Sequence, residues 1–315
     1  MKNLINYLKR TKKGLMVAIL LVVVLSFRVR DYAMVPETDA KPVPSRDYAM
    51  LFSYLAEQNF NMAEVQQLFR DPRVVYYPDI AVKLSSPPAM DSYSSTFFHT
   101  ENVTYEIEDF LQHYQSQLNT AEQRFGVNRE AIVAVLFVET KLGKIVGKYS
   151  VFNVLSSLSN ADSPESLARI ENYINERYHY LSFDKRRYLI NLYQKRAIRK
   201  AAWARTEFGA LLRLHDESHL DILELPGSYA GAFGYPQFMP SNVLRYGIDG
   251  DRDGKIDLYN YTDAIMSVGN FLSRKGWTDD ILRQQRALLR YNNSRTYVAD
   301  VLTTASLIRE NFIVD

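Results

Sequence analysis

From Asp47 to the C-terminus, apolar residues recur at three- and four-residue intervals, the spacing of one helix face. Tyr48, Leu51, Phe52 and Leu55 set the pattern. A short helix is expected over 63–69, ending near Asp71-Pro72. The same periodicity predicts helices over 105–124, 129–142, 164–179, 184–214, 262–275 and 297–311. Residues 78–98, with Pro78, Pro87, Pro88 and a serine cluster, read as irregular. Strand-type alternation is sparse and no segment repeats. Loops concentrate between 216 and 262. The expected fold class is therefore mainly α. A chain of 315 residues that is 47% hydrophobic has apolar surface enough for a sizeable core. Its 13 glycines and 11 prolines are too few for a collagen-like or low-complexity chain.

The charges balance, 38 basic against 36 acidic residues, so nucleic acid is not the default partner. There is no cysteine. Disulfides, thiolate metal sites, a cysteine nucleophile and a lipid-modified cysteine are excluded. Residues 1–13 carry Lys2, Lys9, Arg10, Lys12 and Lys13 and no acid, and residues 14–27 follow without a charge. That order has the form of an export signal. The run is short of the roughly 20 residues of a spanning helix. Phe27-Arg28-Val29-Arg30 suits cleavage poorly, which favours an uncleaved signal-anchor over a cleaved peptide; a buried first helix is the third reading. An anchor with its positive end inside puts the rest outside the cytoplasm, which becomes the periplasm or cell envelope at the inner membrane under the family resemblance given below. Residues 28–45, with Pro36, Pro42 and Pro44, read as a tether. An N-terminal helical segment (46–98) and a larger helical domain (99–315) follow.

In the apolar run over 130–143, Ile132, Val135, Leu136 and Glu139 share one face, and Val133, Phe137 and Val138 are apolar as well. Glu139 therefore extends a stripe that should face the core. A carboxylate there is costly unless it is paired or lines a cleft. Desolvation favours its neutral form, which a proton donor near neutral pH requires. The bland reading pairs Glu139 with Lys141, Lys144 or Lys148. Residues 226–241 are too rich in glycine and proline for a long helix and too aromatic for an idle solvated loop. They line a cleft, with Ser228, Tyr235 and Gln237 as hydrogen-bonding groups, or form a structural crossing.

Asp249, Asp251 and Asp253, then Gly254, fit the first half of an EF-hand loop. The Lys255 carbonyl takes position 7 and Asp257 position 9. Position 12, a bidentate glutamate in the standard loop, is Asn260. Three aspartates within five residues repel one another without a cation, which favours a structural calcium site over an acidic solvated turn. No organic cofactor is expected, since neither a GxGxxG nor a GxxxxGK[ST] pattern is present.

Together these pieces resemble the membrane-bound lytic murein transglycosylase B family, a lysozyme-like glycoside hydrolase family 103 type. The motifs are Glu139-Thr140 with Gly143 and Gly147-Lys148, the loop from Ser228 to Ser241, the acidic loop from Asp249 to Asn260, and Tyr291-Asn292 with Tyr297. The resemblance spans about 48–315 and implies an α+β lysozyme-like fold: a helical catalytic core with a cleft and one EF-hand-like calcium loop. It implies Glu139 as the single acid/base. It implies substrate contacts from Ser228, Tyr235, Gln237, Phe238, Met239, Tyr291, Asn292 and Tyr297, and calcium ligands at Asp249, Asp251, Asp253, Lys255 and Asn260. Peptidoglycan glycan strands are the implied partner, the N-terminal segment the membrane contact, and other cell-wall enzymes possible associates.

Several residues depart from the family pattern. Pro236 stands for a small glycine and Leu142 for an aromatic residue. The arginine pair expected near 160–164 is not there, and Arg186-Arg187 lie further on. The implied chemistry cuts the bond between N-acetylmuramic acid and N-acetylglucosamine and closes a 1,6-anhydro ring. The rival readings are a muramidase that adds water and a wall-binding protein without activity.

Overall fold

The computed structural model describes residues 41–42, 48–85, 100–218 and 220–312. The basic segment 1–13, the apolar run 14–27 and most of the 28–45 tether lie outside the described residues. Among the described residues, no helix is long and apolar enough to cross a membrane.

The chain runs β1 (Lys41–Pro42), α1 (Ala49–Glu57), α2 (Met62–Leu68), β2 (Val75–Tyr76), α3 (Ile80–Ser85), α4 (Thr100–His113), α5 (Gln115–Phe125) and α6 (Arg129–Thr140). It continues through β3 (Tyr149–Ser150), α7 (Val151–Leu158), α8 (Pro164–Arg177), α9 (Phe183–Ser218) and β4 (Pro226–Gly227). The last elements are α10 (Pro240–Tyr246), α11 (Tyr261–Arg274), α12 (Ile281–Tyr291) and α13 (Arg295–Phe312). The expected mainly α class is what the chain forms. Among the described residues the four strands are two residues each, paired antiparallel as β1–β2 and β3–β4.

Helix starts follow local chemistry. Ser163 accepts the Ser166 N–H with Pro164 at the first turn of α8, and Asp280 accepts from Leu282 and Arg283 at α12. α6 is the centre. Residues 131–137 are all buried, so the helix is covered all round, by α13, α5 and α11. At its polar entry, buried Glu130 accepts from Arg309 Nε of α13 at 2.6 Å. The same core takes in Tyr48, Leu51 and Leu55 of α1. A second cluster joins α3, α7, α8 and the small inner face of α9.

Several expectations need correction. The helix expected over 105–124 is two, broken where Tyr114 leaves helical angles and packs its ring on Phe110 and Tyr261, with centroids 4.7 and 4.8 Å away. The helix expected to reach 142 stops at Thr140, because Lys141 and Leu142 turn left-handed (φ +51° and +54°). α3 lies inside the stretch read as irregular. α7, α10 and α12 were not expected at all.

Candidate active site

Glu139 sits in the last turn of α6, half-buried where its neighbours 131–137 are fully covered. The helix end is held by its own backbone. The Lys141 N–H bonds the Phe137 carbonyl at 2.8 Å, and the Leu142 N–H reaches the Leu136 carbonyl at 3.2 Å. Thr140 locks the turn, since its hydroxyl donates to the Tyr235 carbonyl at 2.9 Å and accepts the Gly143 N–H at 3.0 Å. Gly143 has φ +83°, and a Cβ there would meet Tyr261 Oη at 2.5 Å and Tyr235 Cε1 at 2.7 Å. Of the lysines offered as partners for Glu139, Lys144 pairs instead with Glu106. Burial depresses the pKa of Lys141, with Glu106 opposing.

The loop 226–241 folds back on itself through bridges from Gly227 to Phe233 and from Phe233 to Phe238. Ser228 is buried, and its Oγ accepts the N–H groups of Ala230 and Ala232 at 3.2 and 3.1 Å, leaving its own proton to donate. Gln237 stands at φ +50°; its Nε2 donates to the carbonyls of Val146 and Gly234, and neither bond uses Oε1. Met239 is half-buried at the cap of α10. The loop's far end is fixed by buried Glu207 of α9, which accepts both the N–H and the hydroxyl of Ser241.

The C-terminal pair closes the other side. Tyr291 donates to the Pro236 carbonyl at 2.6 Å, so proline at this position still serves the loop through its oxygen. Tyr297 stacks on Tyr291, with centroids 6.0 Å apart. Burial, then the charge of Glu139, holds both phenols well above the usual tyrosine range. The Tyr297 hydroxyl is buried without a hydrogen-bond partner among the described residues, close enough to Glu139 for the carboxylate's charge to act on it. Asn292 caps α12 and is half-exposed. Phe238, expected to touch substrate, is 1% exposed and packed on Phe271 and Tyr291, so its ring offers a ligand no surface.

In the acidic loop, carboxylate oxygens of Asp249, Asp251 and Asp263 lie within 4.8 Å of one another. Asp263 is 1% exposed and accepts the N–H groups of Gly250 and Asp257. Asp249 Oδ1 is buried without a hydrogen-bond partner, the mark of an acceptor placed for a cation. This donor set fits a hard ion such as calcium. Asn260, expected as a ligand, has its Oδ1 engaged by the Thr262 N–H at the cap of α11 and turns its Nδ2 toward the trio, donating to Asp251, so its amide closes the loop and offers no free oxygen. Asp253 lies outside that trio, accepting the Lys255 N–H. The Lys255 side chain is exposed.

Residues 46–283 match the family described as Transglycosylase SLT domain. The chain belongs to this family. Membrane-bound lytic murein transglycosylase B of Escherichia coli is 32% identical over 202 residues, 64% of this chain and 46% of that protein. The chain thus spans about half the length of that curated relative. The soluble lytic transglycosylase SltB1 of Pseudomonas aeruginosa superposes with a TM-score of 0.64 at 24% identity, covering 83% of this chain and 98% of that one. The Escherichia coli lytic transglycosylase Slt35 in complex with calcium gives 0.63 at 21% identity, covering 85% and 94%.

What the sequence reading missed in this SLT-domain protein is the bracing. Tyr235 stacks on Tyr261 at 4.1 Å and donates its N–H to the Leu258 carbonyl. Tyr259 bonds the Pro226 carbonyl and Tyr261 the Leu142 carbonyl. Burial pushes the Tyr261 phenol up to about 12. The exit of the acidic loop thereby holds both the 226–241 loop and the turn after Glu139. Asp263, three residues beyond the twelve-residue loop, was legible only as a further acid after an incomplete pattern. A separate groove of about 970 Å³ between the α1–α2 turn and the end of α9, lined by Phe60, Arg70, Arg213 and His215, contains none of the candidate residues.

Proposed function

We propose that the protein is a lytic transglycosylase of peptidoglycan, with Glu139 as its single acid/base. The observation that carries this is one half-buried carboxylate at the end of an otherwise covered helix, beside half-buried Tyr291 and buried Tyr297. No second acid occurs within 226–241. Hydrolytic glycosidases place two carboxylates about the scissile bond. The family resemblance accounts for the difference: the second reacting group comes from the substrate itself. Neutral Glu139 gives its proton to the glycosidic oxygen between N-acetylmuramic acid and N-acetylglucosamine, and the muramic N-acetyl group assists at the anomeric carbon. The resulting carboxylate takes the proton of the C6 hydroxyl, whose oxygen closes the 1,6-anhydro ring. Glu139 ends protonated and no water is consumed.

Ser228, through its remaining proton, Gln237 through Oε1, and Asn292 are assigned to glycan contacts, with Tyr235 and Met239 at the rim. Tyr291 and Tyr297 shape the pocket behind Glu139. The 99–315 unit carries the chemistry and the 46–98 segment buttresses it. Calcium, as in the Slt35 complex, would be held by Asp249, Asp251 and Asp263, with Asp253 and the Lys255 carbonyl completing the set. It would supply the positive charge that lets these acids sit together. The relative's membrane-bound character supports a place in the cell envelope, with residues 14–27 as the anchor.

The test is mass spectrometry of fragments from purified peptidoglycan treated with the full chain and with Glu139→Gln. Fragments ending in 1,6-anhydromuramic acid from the wild type alone are expected. Reducing-end products would make the protein a hydrolase, and undiminished cleavage by Glu139→Gln would refute the assignment.

A further inference from the structure

The first half of α9 carries a face that the fold leaves uncovered. Its inner positions Tyr193, Ala197 and Ala201 are buried against Ile170 and Ile174 of α8. Turned away by the helical repeat are Arg187, Asn191, Lys195, Ile198 and Arg199, all exposed, with Tyr188 and Lys185 beside them and exposed Phe183 opening the helix at the edge of this face. Phe183 and Tyr188 are each 67% exposed, as is Tyr180 in the preceding turn, and Ile198 is 46% exposed.

The cations of this stretch divide into two sets. Arg186 closes the preceding turn on the carbonyls of His179 and Leu181, Arg196 bonds the Ser85 carbonyl, and Lys200 lies over the Trp203 ring. Lys185, Arg187, Lys195 and Arg199 make no ion pair among the described residues. Asp184 is the one acid between 183 and 200. The face runs about 24 Å along the helix.

We propose that this face rests on a bilayer surface rich in anionic phospholipid headgroups. Four unpaired cations alone would suit any polyanion. The exposed side chains decide between them: rings alone could stack on the sugar faces of a hydrated glycan, but aliphatic Ile198 gains nothing there, whereas the headgroup boundary takes Phe183, Tyr188 and Ile198 together while lysine and arginine stay at the phosphates. The proposal rests on the envelope location given above but not on the glycan chemistry. Lying flat on the bilayer through α9 would fix which way the cleft faces.

The chain has no cysteine, so Asn191→Cys accepts a single polarity-sensitive dye on this face without removing a charge or a ring. The labelled full chain is placed in vesicles of phosphatidylglycerol with phosphatidylethanolamine, and in all-phosphatidylcholine vesicles. A label at exposed Ala299→Cys on α13 is the control. Expected are a blue shift and quenching by lipid-borne quenchers at 191, not at 299, on the anionic vesicles only. Lys185→Gln with Arg187→Gln should weaken the contact roughly 25-fold at low salt, about fivefold per cation. An aqueous signal at 191 on anionic vesicles overturns the proposal. So does a response unchanged by Phe183→Ser with Tyr188→Ser, or one evoked equally by soluble polyglutamate. Circular dichroism confirms that each variant is folded, and glycan cleavage by the same samples reports the catalytic reading separately.

Discussion

Gly143→Ala is the sharpest test of how the cleft is braced, because Gly126 provides a matched control. Both glycines are left-handed at helix ends, φ +83° and +63°. At Gly126 a Cβ would meet nothing within 4 Å, so alanine pays only the backbone term, about 1 kcal/mol net of the entropy it removes from the unfolded chain. At Gly143 the same Cβ falls 2.5 Å from Tyr261 Oη and 2.7 and 2.9 Å from Tyr235 ring carbons. Those rings are stacked on each other, with the Tyr261 hydroxyl tied to the Leu142 carbonyl and the Tyr235 backbone N–H to the Leu258 carbonyl, so they yield only by straining that set. Overpacking of this kind adds about 1–3 kcal/mol. Gly143→Ala should therefore melt about 2–12 °C below Gly126→Ala. Urea midpoints should fall in the same order with unchanged slope. Turnover of peptidoglycan per folded molecule should drop in Gly143→Ala and hold in Gly126→Ala. Equal melting shifts, with equal turnover, would refute the argument that Tyr235 and Tyr261 are a fixed wall.

Tyr291→Phe leaves the Pro236 carbonyl without its donor, which should cost about 1–3 kcal/mol in thermal unfolding and lower turnover on glycan strands. Asp263→Asn should abolish the calcium-dependent rise in melting temperature, which for the parent at a hundredfold excess over its dissociation constant corresponds to about 2.7 kcal/mol; Asn260→Ala should keep that rise. The Arg73 hydrogen bonds hold the Asp71 carboxyl down at about 2. Since the folded value lies below the unfolded one, the stabilisation is present above the ordinary carboxylate range and lost as pH falls through about 2. Arg73→Ala should return the Asp71 titration, followed by carboxyl NMR, toward 3.8.

Legibility followed how directly a residue's own surroundings are written next to it in the chain. Glu139 was readable because α6 is covered on every side, so its apolar run is continuous and one carboxylate at its end stands out. α12 was not. Its apolar opening pair, Ile281 and Leu282, is exposed, and its inner face is only Ala287 and Leu288, so apolar spacing misreports the buried side. α7 is eight residues buried throughout, and a short run of that kind does not separate helix from strand. Phe238 looked like a cleft residue from its neighbours in the loop. Only tertiary packing on Phe271 and Tyr291 turns it inward. Tyr114 breaks a helix for the same reason, since the partner that draws it out, Tyr261, lies far along the chain.

The acidic loop and Glu139 belong to one mechanical unit. Four residues after the aspartates, Leu258 to Tyr261, deliver three hydrogen bonds and one stacked ring to the cleft, all but one of the hydrogen-bond acceptors lying outside the acidic loop's own stretch. Those acceptors are backbone carbonyls at Pro226 and Leu142, one at the start of the 226–241 loop and one in the turn after Glu139. In the proposed calcium site, a cation drawing Asp249, Asp251 and Asp263 together would set the path of the chain between them, and hence the start of α11 and the direction of Tyr259 and Tyr261. With the cation removed, like-charge repulsion loosens that path first. The separation between the 226–241 loop and the turn after Glu139 would then widen without any change in the glutamate itself. Metal loss should thus depress turnover through misplacement of the glycan, where a lost proton donor would abolish it. Adding calcium back should recover the chelated wild type and leave Glu139→Gln inactive.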